Sequence, residues 1–224
     1  MNATNRSQRA ESPSTPGSSR EGPLLAELVG RAWQPAAELA LLLGDPVFWG
    51  WGVPRGDGHP VLALPGLLGG DLYLAPLRGW LRRVGYSTVR SGIERNPGWS
   101  EELVDELGQL AERASDGGRR PLTIIGHSIG GILGRSVARR RPHTTRHLIT
   151  LGSPLAMARG PKPETLHVTA IYSRDDRIVR YPASLASEAD ARNIEVRGSH
   201  LGLASNPEVY RVLASSLTRA ASGG

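Results

Sequence analysis

A tight turn between a buried strand and a helix is the sequence feature that most restricts how this chain can fold. The pentapeptide Gly126-His127-Ser128-Ile129-Gly130 follows residues 122–125, which are typical of a short buried strand, and precedes residues 131–141, which are typical of a helix. Glycines on both sides of Ser128 suit a turn that is too tight for bulky side chains. The turn is expected to hold the Ser128 hydroxyl at the N-terminal end of the helix, where the dipole and free amides favour negative charge.

Short apolar strands and helices alternate along the rest of the sequence. The strands are expected at 61–64, 87–90, 122–125, 147–151, 167–172 and 194–196, and the helices at 71–84, 100–115, 131–141 and 207–219. This alternation predicts an α/β fold with a mostly parallel sheet of about six strands and helices on both faces. Because the segment 153–166 between two strands is short, we expect no large cap domain and a relatively open site.

The N-terminal segment differs from the remainder in composition. Residues 1–22 are polar and rich in Ser, Pro and Arg, which predicts a disordered tail. Residues 23–224 are expected to form one domain, with 23–43 as an N-terminal helical segment interrupted at Pro35; the sequence leaves open whether this segment covers the site or touches a membrane. Since no apolar stretch suits a signal peptide or a membrane span, we expect a cytoplasmic protein.

The composition excludes several classes of site. The chain has no cysteine, which excludes disulfides, Cys-ligated zinc and a cysteine nucleophile. Its net charge of +6 raises the alternative of nucleic-acid binding. Only Lys162 is a lysine among 27 basic residues, a ratio more typical of GC-rich codon usage than of a binding surface. We therefore expect no nucleic-acid partner, no metal and no cofactor.

Five sequence motifs follow one another along the chain: VLALPGLLGG (61–70), LTIIGHSIGG (122–131), LITLGSPL (148–155), IYSRDDRIV (171–179) and GSHLGL (198–203). Their order resembles the α/β-hydrolase superfamily over about residues 60–219, and particularly its lipase and esterase branch. The resemblance implies a cofactor-free serine hydrolase that cleaves carboxylic esters, with a small-molecule or lipid ester as substrate. It does not indicate an oligomeric state.

The resemblance also implies a catalytic triad in the order serine, acid, histidine. It places Ser128 as the nucleophile and His200, in the loop after the last strand, as the general base. The acid is Asp175 or Asp176, since both follow a predicted strand, and the family pattern Ser-x-x-Asp-x-x-Val favours Asp176. Such an acid orients the imidazole and stabilises its cation without taking its proton. His127, beside the nucleophile, is expected to pack.

An oxyanion hole requires two backbone N–H groups that face the developing negative charge. By the same resemblance one belongs to Ile129, directly after Ser128, and the other to Leu67 in the loop after the first strand, with Leu68 as a second choice. Pro65-Gly66 stands where the family often has His-Gly, which leaves the backbone donor of Leu67 in place.

Four apolar residues are candidate walls for an acyl chain: Leu68, Leu155, Met157 and Leu201. The same triad would serve a thioesterase, an acyltransferase or an amidase, because the acyl-enzyme chemistry is shared. A non-catalytic binding protein of the same fold is a further alternative, which an intact set of serine, aspartate and histidine disfavours.

Overall fold

A computed structural model describes residues 34–222, with side-chain surroundings up to residue 218. The predicted tail 1–22 and the start of the predicted helical segment, 23–33, lie outside these residues. The described chain forms one sheet of six strands: β1 (Pro60–Leu64), β2 (Ser87–Val89), β3 (Leu122–His127), β4 (Thr145–Leu151), β5 (His167–Tyr172) and β6 (Arg192–Glu195). The strand order is β2-β1-β3-β4-β5-β6, and all neighbouring strands are parallel, which confirms the predicted sheet.

Helices connect most of the successive strands and flank the sheet at its two ends in the sequence. They are α1 (34–44), α2 (Ala75–Arg83), α3 (Glu101–Ala114), α4 (Ile129–Arg140), the single turn α5 (Tyr181–Ser184) and α6 (Pro207–Ser222). Ser100 begins α3 as an N-cap, since its side chain accepts a hydrogen bond from Leu103 N at 3.1 Å. Asn206 does the same for α6, with Glu208 N at 2.8 Å from its Oδ1.

Hydrophobic clusters cover both faces of the sheet, because successive strand residues point to opposite sides. In β1, Val61 belongs to the cluster under α1, α2 and α6, whereas Leu62 belongs to the cluster under α3 and α4. Trp80 and Tyr210 lie at the centre of the first cluster, fully buried, with ring centroids 4.8 Å apart. Helices therefore pack on both faces, as predicted.

The parallel arrangement brings the loops after the strands to one edge of the sheet, where α/β folds bind their ligands. In residues 34–222 the connection from β4 to β5 contains only a 3-10 turn, Leu155–Met157, and no cap domain. No helix in that range has the combined length and apolarity needed to cross a bilayer.

Candidate active site

Ser128 lies in the strained turn that the sequence predicted. Its φ of 54° and ψ of −126° lie outside the regions that non-glycine residues normally adopt, at a cost of order 1–3 kcal/mol. The flanking glycines are required by close contacts. A Cβ on Gly126 would lie 2.5 Å from the Gly130 carbonyl carbon, and one on Gly130 would lie 2.8 Å from the Leu64 carbonyl carbon. The fold therefore holds the hydroxyl at the N-terminus of α4.

A buried hydrogen bond joins His200 to Asp176. His200 Nδ1 donates to Asp176 Oδ2 at 2.6 Å, and the two residues are only 5% and 4% exposed. The other carboxylate oxygen of Asp176 accepts hydrogen bonds from the N–H groups of Ile178 at 2.9 Å and Val179 at 2.8 Å. Because a carboxylate only accepts, the proton lies on Nδ1 and Nε2 is left as the basic nitrogen.

The geometry distinguishes the two candidate acids. Asp175 is exposed, and its backbone N–H donates to Ser173 Oγ at 3.1 Å, whereas the carboxylate of Asp176 is the one that contacts His200. The chain therefore brings Asp176 and not Asp175 to the imidazole.

Ser128 and His200 lie at the same edge of the sheet. The ring of His127, the neighbour of Ser128, is 4.9 Å from the ring of His200 between centroids. Within residues 34–222, no hydrogen bond joins the Ser128 hydroxyl to His200. The hydrogen bond predicted between Ser128 and His200 is therefore not formed in this structure. A general base often comes within hydrogen-bonding distance of its partner only when substrate binds.

His127 does more than pack. Its Nε2 donates a hydrogen bond to the backbone carbonyl oxygen of His200 at 2.8 Å, and its ring also lies 5.4 Å from that of Tyr73. Complete burial, assisted by the nearby His200, lowers the pKa of His127 to about 4, so the ring is neutral at neutral pH. Its Nδ1 has no hydrogen-bond partner among the described residues. His127 thus holds the backbone of the loop that carries His200.

The oxyanion-hole candidates lie in the loop after β1 and at the start of α4. The N–H of Ile129 is in the first turn of α4, where no intrahelical acceptor exists. That of Leu67 makes no hydrogen bond within residues 34–222. The N–H of Leu68, the second choice, is already donated to the carbonyl of Asn96 at 2.8 Å, so the structure favours Leu67 as the donor.

Asn96, which the sequence analysis missed, holds the loop of Leu67 in place. Its side chain is fully buried, and its Nδ2 donates to the carbonyl of Pro65 at 2.7 Å. Its backbone N–H donates to the carbonyl of Gly69, also at 2.7 Å. Asn96 is a single polar residue in a loop far from Leu67 in the sequence, so no motif signalled this role.

The candidate wall residues divide into two groups. Leu68, Met157 and Leu201 are 61%, 69% and 45% exposed, in loops at the edge that carries Ser128. Leu155 is only 6% exposed and belongs to the cluster under α3 and α4, so its side chain supports the core instead of forming an open wall.

No protein-family model and no curated protein matches the sequence. Solved structures match it over most of its length. A carboxylesterase of the ammonia-oxidizing thaumarchaeon Nitrososphaera gargenis is 16% identical with a TM-score of 0.59, covering 76% of this chain and 94% of its own. The monoacylglycerol lipase of Paleococcus ferrophilus is 12% identical with a TM-score of 0.56, covering 75% and 97%. A thioesterase domain from the curacin biosynthetic pathway is 15% identical with a TM-score of 0.53, covering 74% and 93%.

The chain has the α/β-hydrolase fold. The fold that the sequence predicted is thereby confirmed. An α/β-hydrolase fold supports several reactions, as the esterase, lipase and thioesterase among these neighbours illustrate, so the reaction must be argued from the site.

Proposed function

We propose that this protein is a serine hydrolase of carboxylic esters, an esterase or lipase, that works through an acyl-enzyme on Ser128. The observation that carries the proposal is the buried hydrogen bond from His200 to Asp176, at the same sheet edge as a serine in a strained turn. It orients the imidazole so that its basic nitrogen is available to a hydroxyl.

The proposed reaction uses each group of the site in turn. As Ser128 Oγ attacks the ester carbonyl carbon, Nε2 of His200 takes the hydroxyl proton, and Asp176 stabilises the imidazolium. The carbonyl oxygen becomes an oxyanion that accepts hydrogen bonds from the N–H groups of Leu67 and Ile129. The C–O bond to the alcohol then breaks, and His200 returns the proton to the departing alkoxide.

Water completes the cycle by the same steps. His200 takes a proton from a water molecule, the hydroxide attacks the acyl carbon, and the bond to Ser128 Oγ breaks as that oxygen is reprotonated. Every atom is supplied by substrate, water and the chain, so no cofactor is needed. The exposed apolar side chains of Leu68, Met157 and Leu201 favour an ester with an apolar acyl chain or a lipid ester.

The proposal is tested with Ser128→Ala on p-nitrophenyl esters of graded acyl length. We expect kcat/KM to fall by at least about 10³-fold with an unchanged melting temperature. Ser215→Ala, at an exposed serine on α6, is the matched control and should be as active as the unmodified protein. Ester turnover by Ser128→Ala near that of the unmodified protein would overturn the assignment.

The same preparation distinguishes the alternatives that share an acyl-enzyme. Acyl-CoA turned over faster than the oxygen esters would indicate a thioesterase, amides turned over faster an amidase, and ester formation in the presence of added alcohols an acyltransferase. A fluorophosphonate should label the peptide that contains Ser128. Absence of labelling, together with absence of turnover, would indicate a non-catalytic binding protein.

A further inference from the structure

A carboxylate on helix α1 holds the loop that carries His200. Glu38 Oε1 accepts a hydrogen bond from Ser199 N at 2.7 Å, and Oε2 accepts one from Ser199 Oγ at 2.6 Å. Ser199 Oγ in turn accepts a hydrogen bond from Gly202 N at 3.1 Å. Glu38 therefore fixes both the backbone and the side chain of the residue directly before His200, although it lies 161 positions earlier in the chain.

The loop is packed tightly against this carboxylate. If Gly202 carried a Cβ, the three atoms nearest to it would all belong to the carboxyl group of Glu38, at distances that no real Cβ tolerates. Gly202 does not have a positive φ, so an alanine there would be opposed by the Glu38 carboxyl group and not by backbone strain. The pair Glu38 and Gly202 thus forms a matched contact on one side of His200.

Two other groups hold the remaining residues of the loop. Tyr73 donates its hydroxyl to the carbonyl of Leu201 at 2.6 Å, and His127 donates to the carbonyl of His200 at 2.8 Å. Tyr73 and His127 each make one hydrogen bond to the loop, whereas the carboxylate of Glu38 accepts two, both from Ser199. Charge-assisted hydrogen bonds of this kind are the stronger ones.

We propose that Glu38 is a positioning residue of the reaction, acting through Ser199 on the imidazole of His200. The inference rests on the proposed function, because it assumes that His200 is the base. A shift of about 1 Å at a reacting group lowers rates by as much as about 100-fold, so loss of this carboxylate affects the chemical step more than substrate binding.

Glu38→Ala tests the proposal through the separation of kcat from KM. We expect kcat for p-nitrophenyl esters to fall about tenfold or more while KM changes less than twofold. Glu38→Gln keeps an oxygen that can accept the hydrogen bond from Ser199 N. Its kcat should therefore lie between that of Glu38→Ala and that of the unmodified protein. Leu41→Ala, at a side chain 68% exposed on the same helix, is the control and should leave kcat unchanged.

A double-mutant cycle with Gly202→Ala tests the contact itself. In the unmodified protein Gly202→Ala displaces the Glu38 carboxylate, so we expect a loss of kcat about as large as that of Glu38→Ala. In the Glu38→Ala background the same alanine meets no carboxylate and should cost less than twofold. Losses that multiply across the cycle would overturn the proposal, since independent structural defects behave in that way.

The outcomes separate this proposal from the proposed function. If Ser128→Ala removes turnover but Glu38→Ala keeps full kcat with a lowered melting temperature, Glu38 only attaches α1 and the positioning role is overturned. If Ser128→Ala stays active, the proposed function is overturned, and the positioning role that rests on it is overturned as well. Should Glu38→Ala show no cooperative melting transition, Glu38→Gln and Gly202→Ala decide: unchanged kcat in both overturns the role, and reduced kcat at unchanged KM supports it.

Discussion

His127 and His200 contact each other through the backbone as well as through their rings. Nε2 of His127 lies 2.8 Å from the carbonyl oxygen of His200, and the ring centroids are 4.9 Å apart. Because a carbonyl only accepts, the proton of the neutral His127 lies on Nε2. His127, which the turn motif places beside the proposed nucleophile, thereby supports the loop of the proposed base. Because this hydrogen bond requires a folded, neutral His127, the stability of the protein should depend on the protonation of this ring.

Stability should therefore decrease as the pH falls from 6.5 to 4. Burial lowers the pKa of His127 from an ordinary 6.5 to about 4, so in this window the unfolded chain binds a proton that the folded chain does not. The neutral His127 makes its full contribution to the free energy of unfolding above pH 6.5. By linkage, about 3 kcal/mol of this contribution is lost on acidification. The measurement is the free energy of unfolding from urea titrations at pH 7.5, 5.5 and 4.

His127→Gln keeps a donor for the carbonyl of His200 but cannot titrate, so it should reduce this pH dependence. His147→Gln should do the same independently, since burial also lowers the pKa of His147 to about 4 at a site near the other end of the sheet. If the free energy of unfolding of both variants depends on pH as steeply as that of the unmodified protein, the linkage argument is contradicted.

The two neighbouring aspartates should differ sharply in activity. Asp176→Asn places an amide against His200 Nδ1 and favours the wrong tautomer, so kcat should fall by about 10³–10⁴-fold. Asp175→Asn, at an exposed side chain, is the matched control and should stay within twofold of the unmodified protein. Steady-state kinetics on one p-nitrophenyl ester compares them. Equal losses in both variants would count against Asp176 as the orienting acid.

Asn96 should support the loop of Leu67 and, through it, the oxyanion hole. Asn96→Ala removes the 2.7 Å hydrogen bond to the carbonyl of Pro65, so we expect kcat to fall about tenfold and stability to fall by about 1–3 kcal/mol. The control is Asn193→Ala in β6, which removes two hydrogen bonds between the Asn193 side chain and the backbone of Ala186. That control should lose stability alone; a loss of kcat as large as that of Asn96→Ala would argue against a local effect.

Two glycines in helix interiors should respond to alanine with opposite signs. A Cβ at Gly79 in α2 would meet no atom within 4 Å, so Gly79→Ala should stabilise the protein by about 0.5–1 kcal/mol through helix propensity. A Cβ at Gly134 in α4 would lie 2.7 Å from a methyl carbon of Ile124, so Gly134→Ala should destabilise it by about 1–3 kcal/mol. Urea midpoints measure both, and a change of the same sign would show that packing against β3 does not decide the difference.

Local patterns were sufficient to predict the architecture and the turn. The short apolar runs of the strands, the helix caps at Ser100 and Asn206, and the glycines around Ser128 are all local features. They can therefore be recognised without knowing which residues they contact in the fold. The order of strands and helices then predicted a parallel sheet, because alternating elements leave few other ways to bury both faces.

Only the tertiary structure decided which groups meet at the sheet edge. It distinguishes Asp176 from Asp175, removes Leu68 as a backbone donor through Asn96, and brings Glu38 to Ser199. Each of these contacts joins a loop to a segment that is distant in the sequence. Since a hydrogen bond between residues far apart in the chain leaves no periodic pattern around either partner, it becomes visible only when packing has fixed where the loops lie.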